Sequence, residues 1–194
     1  MLSFLLLVLC IPLYLGVAVW VRSKSDGPVL FRHQRIGRSG KPFEAWKFRT
    51  MVPDSAHVLE KHLASNPAAK LEWEHFHKLK NDPRVIPRIG ELLRRTSLDE
   101  LPQLWNVLIG DMSLVGPRPV YTIDEIRMYG ELYPLYLRVR PGLTGLWQVS
   151  GRNNTTFADK VSMDTYYAMN WSLWLDYFIL LRTIRTVFFR EGSY

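Results

Sequence analysis

The sequence predicts an α+β fold that is mainly helical, with an apolar membrane-inserted helix at the N-terminus, one small β-hairpin, and amphipathic helices at the membrane interface. Three observations carry this. Leu2 to Val21 has no charged side chain, and Arg22 and Lys24 follow it at once. Two short runs, Val29 to Arg35 and Phe43 to Arg49, flank the turn sequence Gly37-Arg38-Ser39-Gly40. Between Trp171 and Arg190, Leu173, Trp174, Tyr177 and Leu181 alternate with Asp176, Arg182, Arg185 and Arg190. That mix is too charged to span a bilayer but suits a helix lying among headgroups. An ordinary core-packing helix is the competing reading.

The N-terminal run is about 20 residues, roughly what a straight helix needs to cross a bilayer. Pro12 interrupts it. Proline has no N–H, so the carbonyl of Val8 loses its helical partner and the chain kinks. A secretory signal would carry a positive residue before the apolar run and a small-residue cleavage site after it, and neither is clear here. A kinked spanning helix and a helix that bends at Pro12 back to the same face both fit, and hydropathy does not separate them. The basic residues after Val21 put the globular part on the cytoplasmic side. The division is therefore 1–22 for the membrane-inserted helix and 23–194 for one further domain, because no repeat or low-complexity linker divides the rest.

The 194 residues are 47% hydrophobic and 22% charged, enough for one packed core and a membrane-facing surface. A net charge of +7 suits lipid headgroups, nucleotide phosphates or nucleic acid, and a solubilising surface charge explains it equally well. The single Cys10 excludes an internal disulfide framework and lies in an apolar run that favours an inert thiol. The hairpin is dense in cations: Arg32, Arg35, Arg38, Lys41, Lys47 and Arg49. They read as a solvated face or as a contact for phosphate.

Asp54 or Ser55 caps a helix to about Ser65, and Asn66-Pro67 starts another to about Leu79, ended by Asn81-Asp82-Pro83. His57, His62, His75 and His77 lie here in pairs whose spacings do not share a helix face, so they read as surface or satisfied histidines, with a zinc site as the remote alternative. A short helix runs from about Arg88 to Arg95. Thr122 to Arg138 has an amphipathic helical pattern, Arg140 to Gly145 reads as a loop, Leu146 to Val149 as a strand and Ser150 to Asn154 as a turn. A helix near Phe157 to Met169 precedes the final one.

The chemistry concentrates in Thr96 to Gln103 and Gly110 to Pro119. Asp99 and Glu100 sit at a helix start. Ser97-x-x-Glu100 is a capping-box pattern, so the carboxylates could serve only the helix. Pro102 fits that poorly, and fits a later start with Asp99 as cap better. Adjacent helical side chains diverge by about 100°, so the pair suits two different roles rather than one shared proton. Arg118, with Pro117 and Pro119 restricting the backbone on both sides, is a pre-aimed guanidinium for phosphate, or a structural partner of Asp99, Glu100 or Asp111. Arg94, Arg95 and Arg152 are weaker candidates of the same kind. Carboxylates beside a fixed guanidinium suit metal-assisted phosphoryl transfer.

At these residues the sequence resembles the catalytic domain of the bacterial monotopic polyprenyl-phosphate phosphoglycosyl transferases. The matching pieces are Lys47 to Met51, Asn81 to Val85, Ser97 to Gln103, Asn106 to Leu108, Gly110 to Pro119, Arg140 to Gly145 and Gly151 to Asn153, in the family's order over nearly the whole chain. Leu71 to Glu74, Thr144 to Asn153 and Arg190 to Tyr194 look most like the members that transfer galactose phosphate. The resemblance implies Asp99 as the nucleophile on the β-phosphate of a UDP-sugar and Glu100 as the ligand of Mg²⁺. Arg118 would hold phosphate, supported by Arg94 and Arg152. It implies UMP release, a phosphosugar-aspartyl intermediate, and undecaprenyl phosphate as second substrate in a ping-pong scheme. It implies a re-entrant helix bent at Pro12, placement on the cytoplasmic face of the inner membrane, and no nucleic acid. A homo-oligomer is left open.

Two departures stand out. Ile11 occupies the position where the family commonly has a serine before the proline, and the usual basic segment ahead of the apolar run is absent. Larger members carry transmembrane helices and a soluble domain upstream, so Met1 as natural start or as truncation is open. The other functions weighed are a silent membrane-anchored binder of lipid or nucleic acid, and a metal-dependent phosphohydrolase.

Overall fold

The computed structural model describes residues 2–76, 79–122, 125, 127–151 and 155–189. Two helices begin the chain, α1 (Leu2–Leu9) and α2 (Ile11–Lys24), bent by 58° at Cys10. The break falls where Pro12, in the first turn of α2, has no N–H to continue the ladder from α1. No single described helix is long and apolar enough to cross a membrane, whereas the bent pair together meets that length and composition.

The expected hairpin is present, with β1 (Leu30–Ile36) antiparallel to β2 (Pro42–Phe48) and His33 opposite Ala45. Helices α3 (Ser55–Ser65) and α4 (Pro67–Phe76) follow as the turn residues predict, with Asn66 Oδ1 accepting from the Ala69 N–H. The α4 helix ends short of Leu79, which lies in an irregular stretch. After α5 (Ile89–Arg95) come the turn that carries Asp99 and helix α6 (Gln103–Ile109).

Three expectations are corrected beyond that point. Arg140 to Gly145 is not wholly loop, since β4 (Gly142–Thr144) pairs in parallel with β3 (Ser113–Val115). Leu146 to Val149 is not a strand but the start of helix α8 (Leu146–Ser150). Strand β4 is found only through its partner. Gly116 and Gly142 lie backbone against backbone, and a Cβ on either would collide with the other segment. Among the described residues, the helix expected from Thr122 to Arg138 is interrupted. Gly130 takes φ +57 in a tight turn, and only α7 (Tyr133–Arg138) is regular after it. Helix α9 (Phe157–Met169) starts where expected, capped reciprocally by Thr156 and Asp159. The final helix is α10 (Leu173–Phe189).

Three apolar clusters hold these parts. Val17 and Val21 of α2 pack with Phe48, Ile86, Ile89 and Leu93, and Leu98 and Leu101 lean on the same cluster. Ile36, Val120, Tyr129 and Tyr136 form the second, and Val115, Val149, Tyr167 and Ile179 the third. Helix α10 buries Ile179 completely yet leaves Trp174 82% exposed and Leu173, Tyr177, Leu181 and Ile184 exposed beside it. It is apolar on both faces. Further exposed apolar side chains line α1 and α2 (Phe4, Leu9, Leu15, Val19) and α6 (Trp105, Ile109), and α1 packs directly on α6.

Candidate active site

Asp99 and Glu100 lie in a single 3₁₀ turn, Leu98–Glu100, set between α5 and α6. Ser97 enters it with φ 56, in the left-handed region, and its side chain caps nothing. Helix α6 begins at Gln103 with Pro102 in the cap position, so the missing N–H of Pro102 costs no helical bond. Neither capping scheme is used, and the carboxylates are free for other work. The turn is held from the N-terminal helix pair: the Tyr14 hydroxyl of α2 donates to the carbonyl of Leu101.

The two carboxylates have unequal surroundings, as divergent side chains on a tight turn allow. Lys47 Nζ donates to Glu100 Oε1 at 2.6 Å, and an Arg118 terminal nitrogen donates to the same oxygen at 2.9 Å. Burial alone would raise the Glu100 carboxyl, but Arg118 and Lys47 override it and hold its pKa well below the usual carboxylate range. Glu100 in turn raises the pKa of Arg118 further above the usual guanidinium value. Asp99 is 8% exposed and accepts no hydrogen bond among the described residues; Lys47 Nζ is 3.9 Å from its Oδ2. Burial pushes the Asp99 carboxyl up to about 6, opposed by Lys47 and reinforced by the negative charge of Glu100. One carboxylate is locked and ionised, while the other is unstrapped and titrates near neutrality.

The Arg118–Glu100 ion pair matches one of the two roles that the sequence allows Arg118. Arg94 lies nearby, acting on Asp99 through its field, while its Nε donates to Thr50 Oγ1 at 2.9 Å. Arg152 lies outside the described residues.

Residues 47–51 each have an assignment. Lys47 meets Glu100, Phe48 packs beside Tyr14, and an Arg49 terminal nitrogen donates to the Ser25 carbonyl at the exit of α2. Thr50 accepts from Arg94, and Met51 bridges to Val85. The second cation that the sequence did not single out is Arg35, 2% exposed, with its guanidinium carbon 3.2 Å from the centre of the Tyr121 ring. Lys47, Arg35, Glu100, Arg118 and Gln103 line one small cleft. The available signal for Lys47 and Arg35 was cation density on the hairpin. The rest of the hairpin's charge is spent elsewhere: Arg32 pairs with Glu44, and Arg38 and Lys41 are exposed at the turn. Asn106 fixes the docking that selects Lys47. Fully buried, it accepts from the Trp46 N–H and donates to the Glu44 carbonyl, so α6 is bolted to the edge of β2.

For a metal, the donors fit a hard cation: Glu100 is ionised and its Oε2 has no partner among the described residues. No group of three or more His, Cys, Asp or Glu side chains gathers among the described residues, so such an ion would complete its shell with substrate oxygens and water.

The chain is similar to known proteins over nearly its whole length. The chain is 49% identical over 193 residues to the undecaprenyl-phosphate galactose phosphotransferase of Salmonella typhimurium, covering 99% of this chain and 40% of that protein. It is 47% identical over 194 residues to the exopolysaccharide production protein ExoY of Sinorhizobium fredii, covering 100% of this chain and 85% of that one. It is 40% identical over 200 aligned residues to the UDP-glucose:undecaprenyl-phosphate glucose-1-phosphate transferase of Klebsiella pneumoniae, covering 99% of this chain and 39% of that one. The chain thus spans about two fifths of the Salmonella and Klebsiella proteins. A family model described as bacterial sugar transferase matches residues 1–190. The chain belongs to the bacterial sugar transferase family.

Proposed function

We propose that the chain transfers a hexose 1-phosphate from a UDP-sugar, UDP-galactose or UDP-glucose, to undecaprenyl phosphate, as a membrane step of polysaccharide assembly. The observation that supports this most is the inequality of Asp99 and Glu100. Phosphoryl transfer through the enzyme needs a carboxylate that is not already committed to a cation, next to cations that can take up phosphate charge. Asp99, with Lys47 Nζ at 3.9 Å and no hydrogen bond from a cation among the described residues, comes nearest the first condition, and Lys47 with Arg118 meets the second.

In the first step an Asp99 oxygen attacks the β-phosphorus of the donor. The bond from that phosphorus to the bridging oxygen breaks, its electron pair leaves with UMP, and Asp99 carries the sugar phosphate as an acyl phosphate. In the second, an oxygen of the lipid phosphate attacks the same phosphorus, and the bond to Asp99 breaks to regenerate the carboxylate. Neither step needs a proton from the protein. Arg118 and Lys47 pass from Glu100 to the phosphate oxygens, with Arg94 and Arg152 in support. Bound Mg²⁺ supplies neutralisation of the diphosphate charge, and Glu100 is the residue that holds it.

The exposed apolar surfaces of α1, α2, α6 and α10 support a membrane-surface placement, because a prenyl tail and a soluble nucleotide meet only there. The 58° bend is compatible with a re-entrant α1–α2 pair, and Arg22 and Lys24 directly after the apolar run favour the cytoplasmic face for the catalytic domain. The test is transfer in reconstituted membranes containing undecaprenyl phosphate, with Mg²⁺ and each UDP-hexose in turn. A lipid-linked hexose diphosphate and stoichiometric UMP are expected. Free hexose phosphate in place of the lipid product would make the chain a phosphohydrolase.

A further inference from the structure

Pro117 and Pro119 leave the Arg118 segment short of N–H donors of its own, so its geometry depends on groups from elsewhere. Every carbonyl from 117 to 120 is met from outside. Gly142 N–H donates to the Pro117 carbonyl at 2.8 Å, an Arg35 terminal nitrogen to that of Pro119 at 3.3 Å, and Ile36 N–H to that of Val120 at 3.1 Å. The Arg118 carbonyl is met by a side chain: the Tyr136 hydroxyl donates to it at 3.1 Å. The same hydroxyl accepts from the Val120 N–H at 3.2 Å. One hydroxyl thus clips the backbone at Arg118 and again two residues later.

The clip is itself held rigidly. Tyr136 is 3% exposed, and its ring lies 5.0 Å, centre to centre, from that of Tyr129. The Tyr129 hydroxyl donates to Asp164 Oδ2 at 2.7 Å, and Lys160 Nζ contacts both Tyr129 and Asp164. Lys160 and Asp164 are buried one turn apart on α9. A buried charge pair is costly to form, and removing one partner is strongly destabilising, so this pair holds its neighbours firmly. At the end of the chain Lys160–Asp164–Tyr129–Tyr136 is the backbone from which Arg118 reaches Glu100.

We propose that Tyr136 is a positioning residue for Arg118, setting the aim of the phosphate-holding guanidinium from a buried anchor on α9. The proposal rests on the phosphate role given to Arg118 above. Its test is a double-mutant cycle on the full chain, reading the affinity for UDP with Mg²⁺ by calorimetry and the unfolding temperature in parallel. Arg118→Ala is expected to weaken UDP by at least tenfold. Tyr136→Phe, which keeps the ring, is expected to weaken it about tenfold in the wild-type background and less than twofold in the Arg118→Ala background. Tyr129→Phe, which loosens the anchor without touching the Arg118 segment, is expected to weaken UDP about threefold in the wild-type background and less than twofold in the Arg118→Ala background, and no change in either would remove the anchor from the proposal. Equal effects of Tyr136→Phe in both backgrounds, or none in either, would overturn the positioning role while leaving Arg118 in place. No effect of Arg118→Ala on UDP would overturn the phosphate role itself, and the role of Tyr136 with it.

Discussion

Asp99 contributes unfavourably to stability at neutral pH, and this gives a test independent of turnover. Its folded pKa of about 6 lies above the ordinary aspartate value, so between pH 4 and 6 the folded state binds more protons than the unfolded one. Stability therefore falls as pH rises through that window, and above it the full penalty is present. A shift of this size corresponds to on the order of 2–3 kcal/mol. Asp99→Asn is accordingly expected to raise the unfolding temperature by roughly 5 °C at pH 7.5. The gain should shrink toward zero at pH 4, where the wild-type carboxyl is already protonated. Differential scanning calorimetry at the two pH values reads this directly, and a loss of stability at pH 7.5 would contradict the environment described for Asp99.

At the scale of elements, what the sequence disclosed depended on how local the cause was. Helix α9 was legible because Thr156, Asp159 and the apolar period all lie within it. The hairpin was legible from its turn. Strand β4 and helix α8 were not, because β4 exists only by pairing with Ser113–Val115, and it was misread as loop. Asp99 and Glu100 were legible as residues suited to two different roles, but which of them the cations hold was not, since that comes from Arg118, 18 positions away, and Lys47, 53 positions away. Helix α10 makes the sharpest case. Its charges suggested an interfacial helix and its apolar content a core helix, and both faces are apolar in the fold, with one uncovered. If that face lies in the headgroup layer, lipids brominated near the headgroups quench Trp174 fluorescence, and Trp174→Phe removes part of the quenching. Equal quenching in the two proteins would place the face elsewhere.

At the scale of the whole molecule, one turn gathers contacts from α2, the hairpin and the segment after β3. Tyr14 reaches it from α2, Lys47 from β2, Arg118 from the segment after β3, and Asn106 of α6 ties that segment's neighbour Asp111 to the hairpin. This convergence brings Lys47, Glu100 and Arg118, from three separate stretches of sequence, into one cleft. It also concentrates the functional claim on a single bond, that between Asp99 and phosphorus. The measurement is intact mass spectrometry of the purified chain with Mg²⁺ and UDP-galactose or UDP-glucose, without lipid acceptor, alongside UMP release. The account predicts one hexose-phosphate adduct per chain and one equivalent of UMP, both lost in Asp99→Asn. Turnover of donor without an adduct, or an adduct that survives Asp99→Asn, would contradict it.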